Sequence, residues 1–338
     1  MRTFIIVIFI AIVSGCNTQN RITLNSDPVN KKVEILYDGQ IFTSYIYPDD
    51  LEKPVLYPIY TSSGRFITRG FPLDPRPDER IDHPHQVGLW FNFGDVNGLD
   101  FWNNSYAIPD DQKSKYGSIR HRQILETKSG QKEGILVTAS DWIDFEGNVL
   151  LNDRTTYIFS GEGNRRIICR TTVLTANVPV VFTDNKEGLI GLRVDRAFEE
   201  PTDIPEVFLD ANGIPTETPV MNNEGVNGVY RNSEGLQKGD VWGKPARWVC
   251  LSAIKDGEDV SIAIIDHGKN PGYPAHSHAR GYGLFAANNL GSQVFEKDAP
   301  LFTLELKPQQ SVAFTHTVVI QDGSFLTDAE LNSINFEN

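Results

Sequence analysis

Cysteine is scarce in this sequence: three residues in 338, at positions 16, 169 and 250. None falls into a CxxC pair or a zinc-finger spacing, which excludes a thioredoxin-type redox motif and a structural zinc site. Cys169 and Cys250 sit in apolar, strand-like runs (RRIICRTTV and ARWVCLSAI). Two buried free thiols are the default there, and a disulfide requires that the two strands meet. Basic residues are also short, 31 Lys and Arg against 44 Asp and Glu, and no Lys/Arg block occurs. A net charge of −13 repels phosphate backbones, so nucleic acid is not an expected partner. There is no P-loop and no GxGxxG behind a strand. Past residue 16, no apolar run is long enough to span a bilayer. Helical periodicity is nearly missing too. Only LTDAELNSINF near the C-terminus reads as a short helix, with Thr327 as its N-cap and Glu330 three residues on.

What is present begins at the N-terminus. MRTFIIVIFIAIVSGC carries one arginine, an apolar run from Phe4 to Val13 and then small residues before Cys16. That is the build of a secretory signal, and Val13-Ser14-Gly15-Cys16 resembles the bacterial lipobox, cut just before the cysteine. The expectation is a signal peptide over residues 1–15, a lipid on Cys16, and a polar tether over 16–30. This places the protein in the bacterial cell envelope, with the lipid as its only membrane contact.

From residue 31 to the end, one domain is expected. KKVEILYDGQIFTSYIY reads as two strands around Asp38-Gly39, and EGILVTASDWIDFEGNVLLNDRTTYIFS as two more around Glu146-Gly147-Asn148. NRRIICRTTVLTA, ARWVCLSAI, VSIAIIDH, YGLFAANN, PLFTLELKP and SVAFTHTVVIQDG continue the period-2 pattern. Many short strands with turn residues between them predict an all-β fold, a large antiparallel β-sandwich with one short C-terminal helix. Residues 199–227, rich in proline and acid and poor in pattern, read as a long loop insertion.

Polar residues gather in three places. RIDHPHQ holds Asp82, His83 and His85; Pro84 biases His83 toward an extended geometry, and extended residues at i and i+2 point to one side. The two rings then project together, with Asp82 orienting one of them. This gives a His acid/base or a two-His metal edge, unless the rings only bond loop carbonyls. His276 and His278 repeat the spacing, followed by Arg280 and Tyr282 on the same side and by Asn288 at the end of the next strand. No carboxylate spacing supports a metal there, and Arg280 disfavours a cation, so neither metal nor cofactor is expected. In DNKEGLIGLRVDR, Glu187 precedes a strand that carries Arg193 and Asp195 on one face; the arginine is suited to carboxylate or sugar hydroxyls, or to a plain surface ion pair. Trp90, Phe91, Phe93, Phe101 and Trp102 are clustered, mostly as core, with Trp102 a candidate stacking wall for a sugar ring.

SGRFITRGFP, DHPHQVGLWFNFGDVNGLDFW, DNKEGLIGLRV and RGYGLFAANNLG resemble the bacterial family labelled "methane oxygenase PmoA", over about residues 57–295. The chain departs from that pattern at Gln86, Ser277 and Asn289-Leu290-Gly291, and keeps His83, His85, His278 and Arg280. More remotely, the length and strand pattern resemble the galactose-mutarotase type of super-sandwich. That resemblance implies a His acid, His85 or His278, and a carboxylate base, Glu296 or Glu187, acting on a sugar. Asp82, His83, Arg193, Arg280, Tyr282, Asn288 and Trp102 would then bind the carbohydrate or glycoside. The alternatives are a non-catalytic glycan-binding lipoprotein and, following the label, a metal-dependent oxygenase.

Overall fold

Alternation decides the architecture. In RRIICRTTVLTA every second side chain from Arg166 to Ala176 is buried and its neighbours are half-buried, the signature of a strand with one face on a core. The computed structural model describes residues 21–203, 214 and 223–334. The expected signal peptide, Cys16 and much of the expected 199–227 insertion lie outside the described residues. The strands in chain order are β1 (Ile22–Asp27), β2 (Lys32–Tyr37), β3 (Gln40–Ile46), β4 (Val55–Ile59) and β5 (Leu89–Phe93). Four long ones follow, β6 (Ser118–Lys128), β7 (Glu133–Ile143), β8 (Val149–Glu162) and β9 (Arg165–Ala176). Then come β10 (Val180–Thr183), β11 (Gly188–Arg193), β12 (Val229–Asn232), β13 (Trp248–Lys255) and β14 (Glu258–Asp266). The last are β15 (His276–Arg280), β16 (Leu284–Asn288), β17 (Thr303–Leu306) and β18 (Ser311–Asp322), before the helix α1 (Asp328–Ser333).

Two eight-stranded antiparallel sheets form, in the orders β1-β2-β3-β4-β5-β11-β16-β15 and β12-β13-β14-β18-β9-β8-β7-β6, with β10 and β17 as a separate pair. The expected all-β sandwich is the fold. Asp38 and Gly39, at φ of +49° and +78°, make the two-residue turn between β2 and β3 that Asp-Gly favours. Thr327 and Glu330 complete a capping box on α1. The core lies between the sheets, where Phe91 of the first meets Trp142 of the second at 6.5 Å and Phe42 meets Phe159 at 6.3 Å.

One expectation is corrected. Residues 22–27, placed in the tether, are strand β1, paired with β2 from Ile22↔Tyr37 to Asp27↔Lys32. Ile22 and Leu24 point inward and are 1% and 9% exposed. A lone edge strand with one buried face needs few apolar residues, so its polar composition hid it.

The opposite face of the first sheet carries a second, smaller apolar layer: Val55, Tyr57, Trp90, Trp102, Leu284 and Ala286 among others. Register lines up one row across four strands, Trp90–Gly191–Ala286–His278. A Cβ on Gly191 would lie 2.5 Å from Trp90 Cζ2 and 2.9 Å from Trp102 Cη2, so only glycine lets the indoles settle on the sheet. The sheet's two edge strands are both covered. Gly130 pairs with Ile22 along β1, and residues 243–246 run along β15. There Gly243 N–H donates to Ser277 O at 2.7 Å, Ser277 N–H to Lys244 O at 2.9 Å and Ala246 N–H to Ala275 O at 3.0 Å.

Candidate functional site

The β4–β5 connection folds over this second face, and one buried arginine holds it. Arg69 is 2% exposed. Its Nη1 donates to the Asp82 carboxylate at 2.9 Å and to the Asp82 carbonyl at 2.8 Å; its Nη2 donates to the carbonyls of His83 at 3.0 Å and Gln86 at 3.1 Å. Loop carbonyls buried away from water need such donors. A further bond from Gln86 N–H to His83 O, 3.0 Å, closes a turn with Pro84 inside it. His83 therefore adopts φ +46°, the left-handed region, and not the extended geometry expected from Pro84. The arginine clamp overrides the local bias.

The consequence is a different pairing of the residues in this stretch. His83 stacks on Tyr282, ring centroids 5.3 Å apart and nearly coplanar at 4°. Its Nδ1 lies 2.9 Å from Asp82 Oδ2, and its side chain remains 40% exposed. The other Asp82 oxygen accepts from Arg69 and from Arg193 Nη2, each at 2.9 Å. Burial opposes ionisation of Asp82, but Arg193, His83 and Arg69 outweigh it and hold the carboxyl well below the usual range. Arg193 is wholly buried, donates to Gln86 Oε1 and lies 4.9 Å from the Tyr282 ring centre. It does not pair with Asp195, whose carboxylate meets Lys255 at 2.9 Å.

His85 turns elsewhere. It is 8% exposed and lines a small open cleft of about 270 Å³ with Lys53, Asn104 and Ser105. Its carbonyl accepts from Lys53 Nζ at 2.7 Å. Burial, then the charges of Lys53 and His83, push the ring far below the ordinary imidazole range, so it stays neutral. The two rings of this HxH do meet, edge to face at 5.6 Å.

On β15, His276 and His278 share a face as expected for a strand. His276 stacks flat on Phe295 at 5.4 Å and His278 meets the same ring edge-on at 5.9 Å. His278 Nδ1 is 3.7 Å from Glu187 Oε2. Burial, with Arg280 and Lys186 adding to it, lowers His278 to about 3. Burial raises Glu187, against the pull of Lys186 3.4 Å away. Glu187 is placed by its neighbours: its N–H donates to Asn185 Oδ1 at 2.9 Å and its carbonyl accepts from Gly94 N–H at 2.7 Å. A Cβ on Gly94 would come within 2.8 Å of Glu187 Cβ, which is why glycine stands there. Glu296 pairs instead with Lys244 at 3.5 Å and is 39% exposed. Among the described residues no group of three or more His, Cys, Asp or Glu is placed to hold a metal ion.

Two expected ligand contacts are corrected. Trp102 is 0% exposed and packed on Trp90 at 5.1 Å, so no sugar ring reaches it. Asn288 is also fully buried: its Nδ2 donates to the carbonyls of Asn185, 2.7 Å, and Lys186, 3.0 Å, while its Oδ1 accepts from Leu290 N–H. It positions the segment that carries Glu187. The exposed aromatic on the rim is Trp242, 37% exposed, which packs edge-on against Phe295 at 5.7 Å. Arg280, also exposed, lies 5.6 Å from the ring centres of both Trp242 and Tyr282. Sequence reasoning missed Arg69, Gln86 and Trp242. Arg69 lies in SGRFITRGFP, but nothing in its spacing ties it to a turn fourteen residues on.

A family model described as "Family of unknown function (DUF6807)" matches residues 32–334. A search of curated proteins finds no match. Among solved structures, the chain is similar to a galactose mutarotase-like protein from Clostridium acetobutylicum, with 10% identity, 90% of this chain and 100% of that one covered, and a TM-score of 0.40. It is similar to a GalM/aldose epimerase homologue from C. elegans at 9% identity, covering 91% and 100%, with a TM-score of 0.34. It is also similar to the GH36 alpha-galactosidase AgaB from Geobacillus stearothermophilus at 10% identity and a TM-score of 0.40, covering 89% of this chain and spanning 41% of that one.

Proposed function

This chain belongs to DUF6807, a family of unknown function, and we propose from its site that it acts on a carbohydrate by acid–base chemistry centred on His83. The observation that carries the reading is the contact between the Asp82 carboxylate and His83 Nδ1 at 2.9 Å. The 2.9 Å approach falls outside hydrogen-bond geometry, so it is the charge of the ionised carboxylate beside the stacked ring that orients the imidazole, and Nε2 is left to exchange a proton with a bound molecule. Stacking on Tyr282 holds the ring plane, and Arg69 and Arg193 hold the carboxylate. Glu187, its affinity for a proton raised by burial, is the second proton-exchanging group, beside the neutral His278. Tyr282 and Trp242 supply apolar surface for the C–H face of a sugar ring. From the N-terminal sequence alone, we also propose that the protein is held in the cell envelope by a lipid on Cys16.

Purified protein incubated with released sugars and glycosides, with products followed by NMR, tests this. His83→Ala is expected to lose turnover by about 10²–10⁴-fold with an unchanged thermal midpoint. Full turnover in that variant overturns the role of His83. Sugars that raise the thermal midpoint without product formation favour the non-catalytic glycan-binding alternative. Metabolic labelling with palmitate tests the anchor: incorporation is expected in the full chain and absent in Cys16→Ala.

A further inference from the structure

Among the described residues, Arg280 is a charged side chain of the rim with no ion-pair partner. It is exposed, lies 5.6 Å from the ring centres of Trp242 and Tyr282, and forms no ion pair among the described residues. Other cations near it are answered. Arg69 and Arg193 converge on one oxygen of Asp82, and Lys186 has Glu187. Arg280 thus stands as an unpaired cation among the described residues, in a chain whose net charge is −13.

Resting on the saccharide reading above, we infer that the ligand is an acidic saccharide whose ring carboxylate is taken by Arg280. Two aromatic rings orient the guanidinium plane and limit the conformations it loses on binding. A neutral ring seated there would strip water from Arg280 and return nothing to its five N–H donors. A carboxylate answers them with two parallel charge-assisted bonds. Tyr282 links this group to the proton-exchanging His83, since its ring contacts Arg280, Arg193 and His83 together. Carboxylate recognition and proton exchange therefore fall on one ligand.

The test is isothermal titration of the full chain with oligogalacturonates and oligoglucuronates, their methyl esters, matched neutral oligosaccharides and sulfated ones. The acids are expected to bind at least about tenfold more tightly than their esters, with an affinity that falls as salt rises. Arg280→Ala is expected to erase that preference and Arg280→Lys to keep part of it, both with an unchanged thermal midpoint because the side chain is exposed. Equal binding of acid and ester overturns the inference and leaves the saccharide reading standing. Tighter binding of sulfated than of carboxylated sugars overturns the carboxylate assignment. A preference that survives in Arg280→Ala overturns the role of that residue. No binding by any saccharide, acidic or neutral, overturns both readings.

Discussion

Arg69 does with one side chain what a short loop cannot do for itself. Its guanidinium answers a carboxylate and several carbonyls between Arg80 and Gln86, and those bonds set the backbone of His83. Arg69→Met is expected to destabilise the fold by about 3–5 kcal/mol, as removal of one partner from a buried charge pair does; chemical denaturation measures this. Arg69→Lys is expected to fail as a rescue, because an ammonium lacks the planar fork. Gly191→Ala probes the floor of the site in the opposite sense. The added methyl meets Trp90 and Trp102 below van der Waals distance, and overpacking of this kind costs about 1–3 kcal/mol. His83 and Asp82 do not touch Gly191 in sequence or register, so the loss is expected in stability first and in the ligand site second.

At the scale of elements, β1 offers the sharpest test. Ile22→Ala removes a side chain buried between β1 and the neighbouring strands, and about 2–4 kcal/mol of stability is expected to go with it. If residues 22–27 were only a tether, the substitution would leave the denaturation midpoint unchanged. The contrast shows what sequence can carry. The β2–β3 hairpin was legible because Asp38-Gly39 and the alternation around it are local, and so was the cap of α1. The pairing of His276 with His278 was legible because both sit inside one strand. In the other HxH the two rings meet as expected, but the backbone of His83 was not legible, because a partner fourteen residues away, Arg69, sets its geometry. The approach of Glu187 to His278 was legible only as two candidates, since strand order, not spacing, puts β11 two strands from β15. Trp102 and Asn288 misled for a related reason: residue type suggested ligand contact, and burial assigns them to support.

For the whole molecule, titration of buried histidines couples folding to pH. Burial lowers His278 and His316 to about 3 and His121 to about 4. In the unfolded chain these rings take a proton near pH 6.5, and in the folded chain they do so only well below that. Their contribution is complete above pH 6.5 and is lost as pH falls toward 4, by up to about 1.4 kcal/mol per pH unit for each fully buried ring. Asp266, raised by burial to about 6, has the opposite sign: its contribution is present below its ordinary value and lost as pH rises through 6. It sits 3.5 Å from His316 and accepts from Asn270 and Asn289. His316→Gln is therefore expected to flatten the fall in thermal midpoint between pH 6.5 and 4, as followed by calorimetry. The covering of the first sheet has a consequence of another kind. Residues 243–246 occupy the free ladder of β15, and the same segment follows Trp242 and carries Lys244, so the rim of the site is also the guard against strand-to-strand association between molecules. Any change that loosens this segment to widen the site uncovers an open β edge, and solubility falls with it.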